Sequence, residues 1–166
     1  MKAAKLQKTN AMRELDRAGV AYEARTYEDD GEEASGLGVA IAQMLDEDPD
    51  QSFKTLVTET PEGGHVVCCI PVAEELDLKA AARAAGAKSL SMMHVRDLVG
   101  VTGYVRGGCS PIGMKKRFPT LLDETCVLFD TINISGGRRG LSLTLATDDL
   151  IRVTDAIVAP ICRPVV

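Results

Sequence analysis

The chain has no tryptophan, and only three tyrosines and three phenylalanines among its 166 residues. Its core therefore has to be aliphatic, and a 45% apolar content supplies enough Val, Leu, Ile, Ala and Met to build one. No apolar run approaches the roughly 18 residues that a membrane-crossing helix needs. The first residues mix charged and apolar side chains and lack the profile of a secretion signal. Cysteines number five, an odd count without regular spacing. This argues against a disulfide framework and for free thiols in a reducing cytoplasm. Cys68 and Cys69 are adjacent in an apolar run, so a strand would send them to opposite faces. His65 and His94 are the only histidines. Neither sits in a metal-ligand pattern, so no metal or other cofactor is expected. Cations are not in excess either, since the formal net charge is −5. A protein that coats nucleic acid should be basic, so any nucleic-acid contact must be local.

What stands out instead is Tyr104–Lys116, where a strand end runs into Gly107 and Gly108, then Cys109, Ser110, Pro111, Ile112 and Gly113. Glycine accepts positive φ, and Pro111 holds Ser110 extended. The pattern predicts a rigid loop with uncovered backbone N–H groups, able to donate to an anion or a polarised carbonyl. Lys115, Lys116 and Arg117 follow at once. A tight connection with solvated cations is the plain alternative.

Around that loop the patterns predict an α+β fold in a single domain over residues 1–166. Its sheet is mixed, curved and partly barrel-like, with helices packed against it. Lys5–Ala18 reads as a helix stopped by Gly19, with Thr9 or Asn10 as alternative N-cap. Val20–Tyr27 reads as a strand, Glu28–Glu33 as an acidic loop and Ala34–Leu45 as a second helix. Ser52–Glu59 and Val66–Val72 form a hairpin, the second strand buried on both faces. Leu76–Ala87 is a helix, Ser89–Met92 a short strand, and Val95–Val99 a helical turn closed by Gly100. Thr120–Leu122 and Cys126–Phe129 are apolar pieces around a polar turn. Thr131–Ser135 and Leu141–Leu145 are strands flanking a glycine-and-arginine turn. Thr147 or Asp148 caps a last helix, and Ile157-Val158 closes the sheet.

Three segments carry candidate chemistry: the glycine loop, Ser52-Phe53-Lys54-Thr55, and Ser135-Gly136-Gly137-Arg138-Arg139-Gly140. On a pleated strand Lys54 points opposite to Phe53. It is either an exposed strand lysine or a cation at a cleft floor. The Gly136–Gly140 turn matches neither phosphate-loop fingerprint and reads as a hairpin turn. Cys109 and Ser110 are the tempting nucleophiles, but their context is not a strand–elbow–helix. Cys109 has no histidine partner in sequence and reads better as a small pocket residue. The residues alone thus describe a donor-rich, cationic cleft without an obvious protein nucleophile.

In their order and spacing these segments resemble the YbaK/EbsC-type family of aminoacyl-tRNA deacylases, freestanding relatives of the editing insertion of some prolyl-tRNA synthetases. The resemblance runs from the helix near Asn10 through Ala24–Tyr27, Ser52–Leu56, Leu76–Lys79, Thr102–Tyr104 and Gly107–Gly113 to Ser135–Leu141. It implies hydrolysis of a mischarged tRNA ester, most often cysteinyl-tRNA with a proline anticodon. In that branch the substrate's own thiol attacks its ester carbonyl, giving a cyclic thiolactone. The family's strand lysine and the threonine after it correspond to Lys54 and Thr55, its strand-end tyrosine to Tyr27, and its late serine to Ser135. One departure concerns Cys109, where the family often carries an aliphatic residue; a thiol there could alter the amino-acid pocket.

The resulting expectation is concrete. Lys54 and the N–H groups near Gly108, Cys109 and Ser110 act on the ester. Lys54 stabilises charge or positions the terminal adenosine or the α-amino region. Tyr27, Phe53, Thr55, Gly107, Pro111, Ile112, Gly113, Ser135 and Gly136 line the substrate site, Tyr27 stacking on the adenine. Lys115, Lys116, Arg117, Arg138 and Arg139 meet acceptor-stem phosphates weakly and salt-sensitively. The tRNA, and a synthetase that selects it, are the expected partners. Rival readings are a deacylase for another small amino acid such as alanine, with water as nucleophile, and a non-catalytic tRNA- or synthetase-binding module.

Overall fold

The computed structural model describes residues 7–29 and 37–164. In chain order the elements are helix α1 (Asn10–Arg17), strand β1 (Tyr22–Thr26), helix α2 (Leu37–Met44), strands β2 (Phe53–Glu59) and β3 (His65–Pro71), helix α3 (Leu78–Ala85) and the short strand β4 (Ser91–Met92). Then come helix α4 (Leu98–Thr102), strands β5 (Thr120–Asp123), β6 (Thr131–Ser135) and β7 (Leu141–Ala146), helix α5 (Thr147–Thr154) and strand β8 (Ile157–Ala159). Among the described residues no helix is long and apolar enough to cross a membrane.

The α+β class and the mixed strand directions are as the sequence implies. The strands divide between two sheets and do not close into a barrel. One sheet has the order β1-β7-β6, the other β4-β2-β3-β5-β8. A parallel bridge between Ser52 and Asn133 joins them. In the five-stranded sheet β2 and β3 form the antiparallel hairpin, while β3, β5 and β8 run parallel.

Two cores follow from strand alternation. Between the sheets and α1 lie Leu15, Phe53, Cys69, Leu122, Ile132 and Leu143. On the other face of the larger sheet, under α3, lie Cys68, Ile70, Ala81, Leu121 and Ile161. Cys68 and Cys69 thus point to opposite cores. All five cysteines are free.

The caps settle several ends. The Thr9 hydroxyl accepts from the Met12 N–H at 3.2 Å, so Thr9 and not Asn10 caps α1. The expected helix start at Lys5 and the segments 30–36 lie outside the described residues in whole or part. Asp77 caps α3, and Gly86 ends it in the left-handed region. Three expectations change. Helix α4 passes through Gly100 and stops at Gly103, whose φ of +85° ends it. Glu124–Leu128 forms a 3-10 turn because the Asp123 carboxylate accepts from the Thr125 N–H. Ala146 precedes α5 as its N-cap, since the Thr147 hydroxyl donates to the Phe129 carbonyl instead.

Candidate active site

Strand β4 pairs with β2 at Thr58 and Glu59, and the Met93 N–H after it donates to the Val57 carbonyl, so β4 leaves the β2 edge before Val57 uncovered. A cleft of about 390 Å³ opens there. One wall is β2 itself, with Phe53, Lys54, Thr55 and Leu56. Helix α2 contributes Leu37, Gly38, Ile41 and Ala42, and the glycine loop contributes Arg106, Gly107 and Cys109. Tyr27, Ser135 and Ser142 complete it from the smaller sheet. The cleft therefore joins Tyr27, Phe53, Lys54, Thr55, Gly107, Cys109 and Ser135 of the expected residues. Lys54 and the glycine loop share one hollow.

The register explains what β2 offers. Lys54 lies opposite Ile70 and Thr55 opposite Cys69, so the two side chains leave by different faces. The Lys54 ammonium is half-buried, and desolvation holds its pKa below the ordinary lysine value against the pull of Glu75, Cys162 and Glu74. In the backbone, Val72 donates to Ser52 and Thr60 to Gly64. This places the even-numbered residues of β2 in the bonded pairs with β3. The Thr55 N–H and C=O consequently point away from β3, at the cleft edge that β4 does not reach.

The glycine loop is built differently from the expected bare amide nest. Gly107 has a φ of +84°. The Gly108 N–H donates to the Val105 carbonyl at 3.0 Å, closing a turn. That amide is committed, which corrects its expected role as a donor to substrate. A Cβ on Gly108 would lie 2.8 Å from the Arg138 main chain, so this glycine permits the loop to dock on the β6–β7 turn. Ser110 is fully buried, and its Oγ accepts from the Ile112 N–H. Ile112 belongs to the first core, its carbonyl accepting from the Tyr104 hydroxyl at 2.6 Å. Pro111 and Gly113 border a separate small hollow beside Glu14, and Gly136 packs on the Leu141 side chain. None of these five lines the cleft, because tertiary contacts turn them inward. Among the described residues no acceptor takes the N–H of Cys109 or Ser110.

The Cys109 thiol is 7% exposed, and burial pushes its pKa up to about 12. At neutral pH it is a protonated thiol, not a nucleophile. No histidine borders the cleft. The Ser135 Oγ accepts from the Gly137 N–H at 3.3 Å, leaving its proton available.

Sequence reasoning missed the floor. Residues Ser135, Asn133, Ser142, Thr144 and Arg25 share one face of the smaller sheet by register. That face is polar, yet the turn after α2 covers part of it. The Glu47 carboxylate lies against Arg25 at 3.0 Å, and Ser52 and Ser142 donate to it at 3.1 and 3.0 Å. Glu47, Ser52, Asn133 and Ser142 all border the cleft, as does the exposed Arg106. Polar residues inside otherwise apolar strands, as in Thr131–Ser135 and Leu141–Ala146, were the available signal.

The five expected phosphate contacts do not form one track. Arg117 donates to the Val153 carbonyl at 2.6 Å, and with Lys116 it borders other hollows. Arg138 donates to the Gln7 carbonyl, and Arg139 pairs with Asp29 at 2.8 Å. Lys115 lies over Gly103.

Comparison with known proteins follows the same outline. The aminoacyl-tRNA editing domain family matches residues 32–153. An Enterococcus faecalis protein named as a Cys-tRNA(Pro)/Cys-tRNA(Cys) deacylase, EbsC, is 43% identical over 93% of both chains. The solved structure of a protein described as a trans-editing enzyme for prolyl tRNA synthetase superposes with a TM-score of 0.78, at 21% identity over 93% of this chain and 96% of that one. A hypothetical protein of known structure superposes with a TM-score of 0.83, at 19% identity over 93% and 100%. These two likenesses establish the shared fold.

Proposed function

The chain belongs to the aminoacyl-tRNA editing domain family, and from that premise we propose that it is a single editing domain, over residues 1–166, that deacylates mischarged cysteinyl-tRNA(Pro) in trans. It is a deacylase, and its substrate is a charged tRNA. We infer the amino acid, the proline isoacceptor, a prolyl-tRNA synthetase partner and a cytoplasmic setting. The 43%-identical relative and its name support the first two.

One observation carries the mechanism. Lys54, Thr55 and Cys109 all border one cleft, and the Thr55 amide turns away from β3. The Cys109 N–H has no acceptor among the described residues, and no lining side chain pairs a nucleophile with a base. Such a site orients and polarises an ester; it does not attack it. The nucleophile then comes from the substrate. The cysteinyl sulfur forms a bond to its own ester carbonyl carbon, and the carbon–ribose oxygen bond breaks. The thiol proton ends on the ribose oxygen. Water afterwards opens the thiolactone to free cysteine. The carbonyl oxygen, which gathers charge midway, is held by N–H groups of Cys109 and Thr55. Lys54 supplies the positive field, Tyr27 stacks on the terminal adenine, and Ser135 donates to the ester region.

The test is deacylation of cysteinyl-, alanyl- and seryl-tRNA of the proline isoacceptor, with Lys54→Ala as control. Cysteinyl-tRNA should be cleaved far faster than seryl-tRNA, because a hydroxyl is the poorer internal nucleophile. Equal rates on the two would mean attack by water and would overturn the thiol route.

A further inference from the structure

The floor of the cleft holds a carboxylate that this mechanism leaves without a task. The Glu47 side chain is 3% exposed and borders the cleft. A carboxylate has about four lone-pair sites. On Glu47, Arg25 Nη2 and Ser142 Oγ approach Oε1, both at 3.0 Å, and Ser52 Oγ approaches Oε2 at 3.1 Å. One site on Oε2 stays open, and it lies on the oxygen that Arg25 does not touch.

The carboxylate also sets the direction of every neighbouring hydrogen bond. It accepts only, so Ser142 must donate to it, while the single Ser52 proton is shared between Glu47 Oε2 at 3.1 Å and the Asp48 carbonyl at 3.0 Å. With its one proton used, Ser142 Oγ has only lone pairs left. Asn133 cannot reverse this order: its Oδ1 accepts from the Thr144 hydroxyl at 2.6 Å, and its Nδ2 donates to Ser52 Oγ at 3.2 Å. Around Glu47 and Ser142 the floor therefore offers acceptors, while elsewhere on it Ser135 keeps a free proton and the buried Arg25 Nε–H has no partner among the described residues. The wall built by β2 and the glycine loop carries the cations Lys54 and Arg106 and the Thr55 and Cys109 amides, with the Thr55 carbonyl as an acceptor among them. A ligand matching both needs an acceptor at one end and a cationic donor close by. An aminoacyl ester has them three bonds apart, as carbonyl oxygen and α-ammonium. The ammonium cannot sit against Lys54, which would repel it.

Resting on the deacylase reading, we propose that Glu47, with Ser142 beside it, is the subsite for the substrate's α-ammonium, so the cleft favours aminoacyl groups with a free amine over those with a neutral α-substituent. Arg25 is a positioning residue, holding the carboxylate while its Nη1 reaches the Leu45 carbonyl at 3.4 Å.

The experiment measures binding by calorimetry with two uncleavable analogues. One is 3′-cysteinylamido-adenosine, with an amide in place of the ester. The other is identical except that a hydroxyl replaces the α-amine. The wild-type protein should bind the amine form at least about tenfold more tightly, the range of a charge-assisted hydrogen bond. Glu47→Gln should bind both at the weaker level, and Ser142→Ala should keep part of the preference. Equal wild-type affinities would overturn the subsite, and this comparison stands even if Glu47→Gln does not fold. A Glu47→Gln protein that weakens both analogues alike would also overturn it, since a purely structural carboxylate predicts that result. Preference for the amine form without cleavage of cysteinyl-tRNA(Pro) would support the subsite and overturn the deacylation reading. Binding of neither analogue would overturn both.

Discussion

Gly108 is pressed so closely on Arg138 that a Cβ would stand 2.8 Å from the arginine's Cα. The neighbours there are main-chain atoms, which cannot swing aside. The same turn is held from its other side, where the Thr9 hydroxyl donates to the Gly136 carbonyl. Helix α1, the glycine loop and the β6–β7 turn therefore make one packed body beside the cleft. Gly108→Ala should destabilise the protein by about 1–3 kcal/mol, as overpacking does. It should also displace Cys109 and lower deacylation. Urea unfolding and turnover measured on the same sample check both.

Lys54→Ala should reduce deacylation by about a hundredfold or more, the scale of losing a group aimed at developing charge. Its urea midpoint should stay near wild type, since the ammonium has no ion pair within the protein among the described residues.

The lowered pKa of Lys54 has a direction in pH as well. The cation is present at neutral pH and is lost as pH rises through a value below the ordinary 10.5. Enzymatic deacylation, corrected for spontaneous ester hydrolysis, should fall on that alkaline limb. Lys54→Arg keeps its charge, so whatever activity it retains should lose the limb. A limb in the same place would assign the titration to another group.

Cys109→Ala should keep activity within about tenfold of wild type, because a thiol held up to about 12 is not the nucleophile. Iodoacetamide at pH 7.5 should leave Cys109 unmodified in the folded protein, read by peptide mass. Rapid, inactivating alkylation there would reverse the assignment.

Salt should separate the surface cations. Lys115 and Lys116 are exposed. If each meets one phosphate, Lys115→Ala with Lys116→Ala should flatten the logarithmic dependence of KM on salt by about 1.5, at roughly 0.7–0.9 per contact. Arg138→Ala removes the bond to the Gln7 carbonyl. It should cost about 0.5–1.5 kcal/mol of stability and leave the slope unchanged.

Much of this was legible in the residues. The alternation in Thr131–Ser135 and Leu141–Leu145 gave the hairpin and its apolar face, and Ser52–Thr55 gave one wall of the cleft. The adjacent Cys68 and Cys69 announced a strand between two cores. The floor was not legible, because alternation shows that a face is polar but not what lies over it. Glu47 reaches Ser142, 95 positions away, through a turn in which Asp46 takes a φ of +54°. Nothing local marks that turn. The glycines misled for a related reason. A residue without a side chain can expose an amide or admit a neighbour's backbone, and only tertiary contact decides between them. At Gly108 it admits Arg138.

The shortness of β4 has a consequence for how this enzyme can change. Because the bonds from that side end at the Val57 carbonyl, the peptide group at Thr55 faces the cleft whatever side chain is attached to it. An alanine scan is blind to such a contact, and so is natural substitution. Pocket residues can drift toward a new amino acid while this part of the grip persists. Exposing it takes chemistry on the chain itself, an ester in place of the Lys54–Thr55 amide, which deletes the Thr55 N–H and also weakens the Lys54 carbonyl as an acceptor from β3.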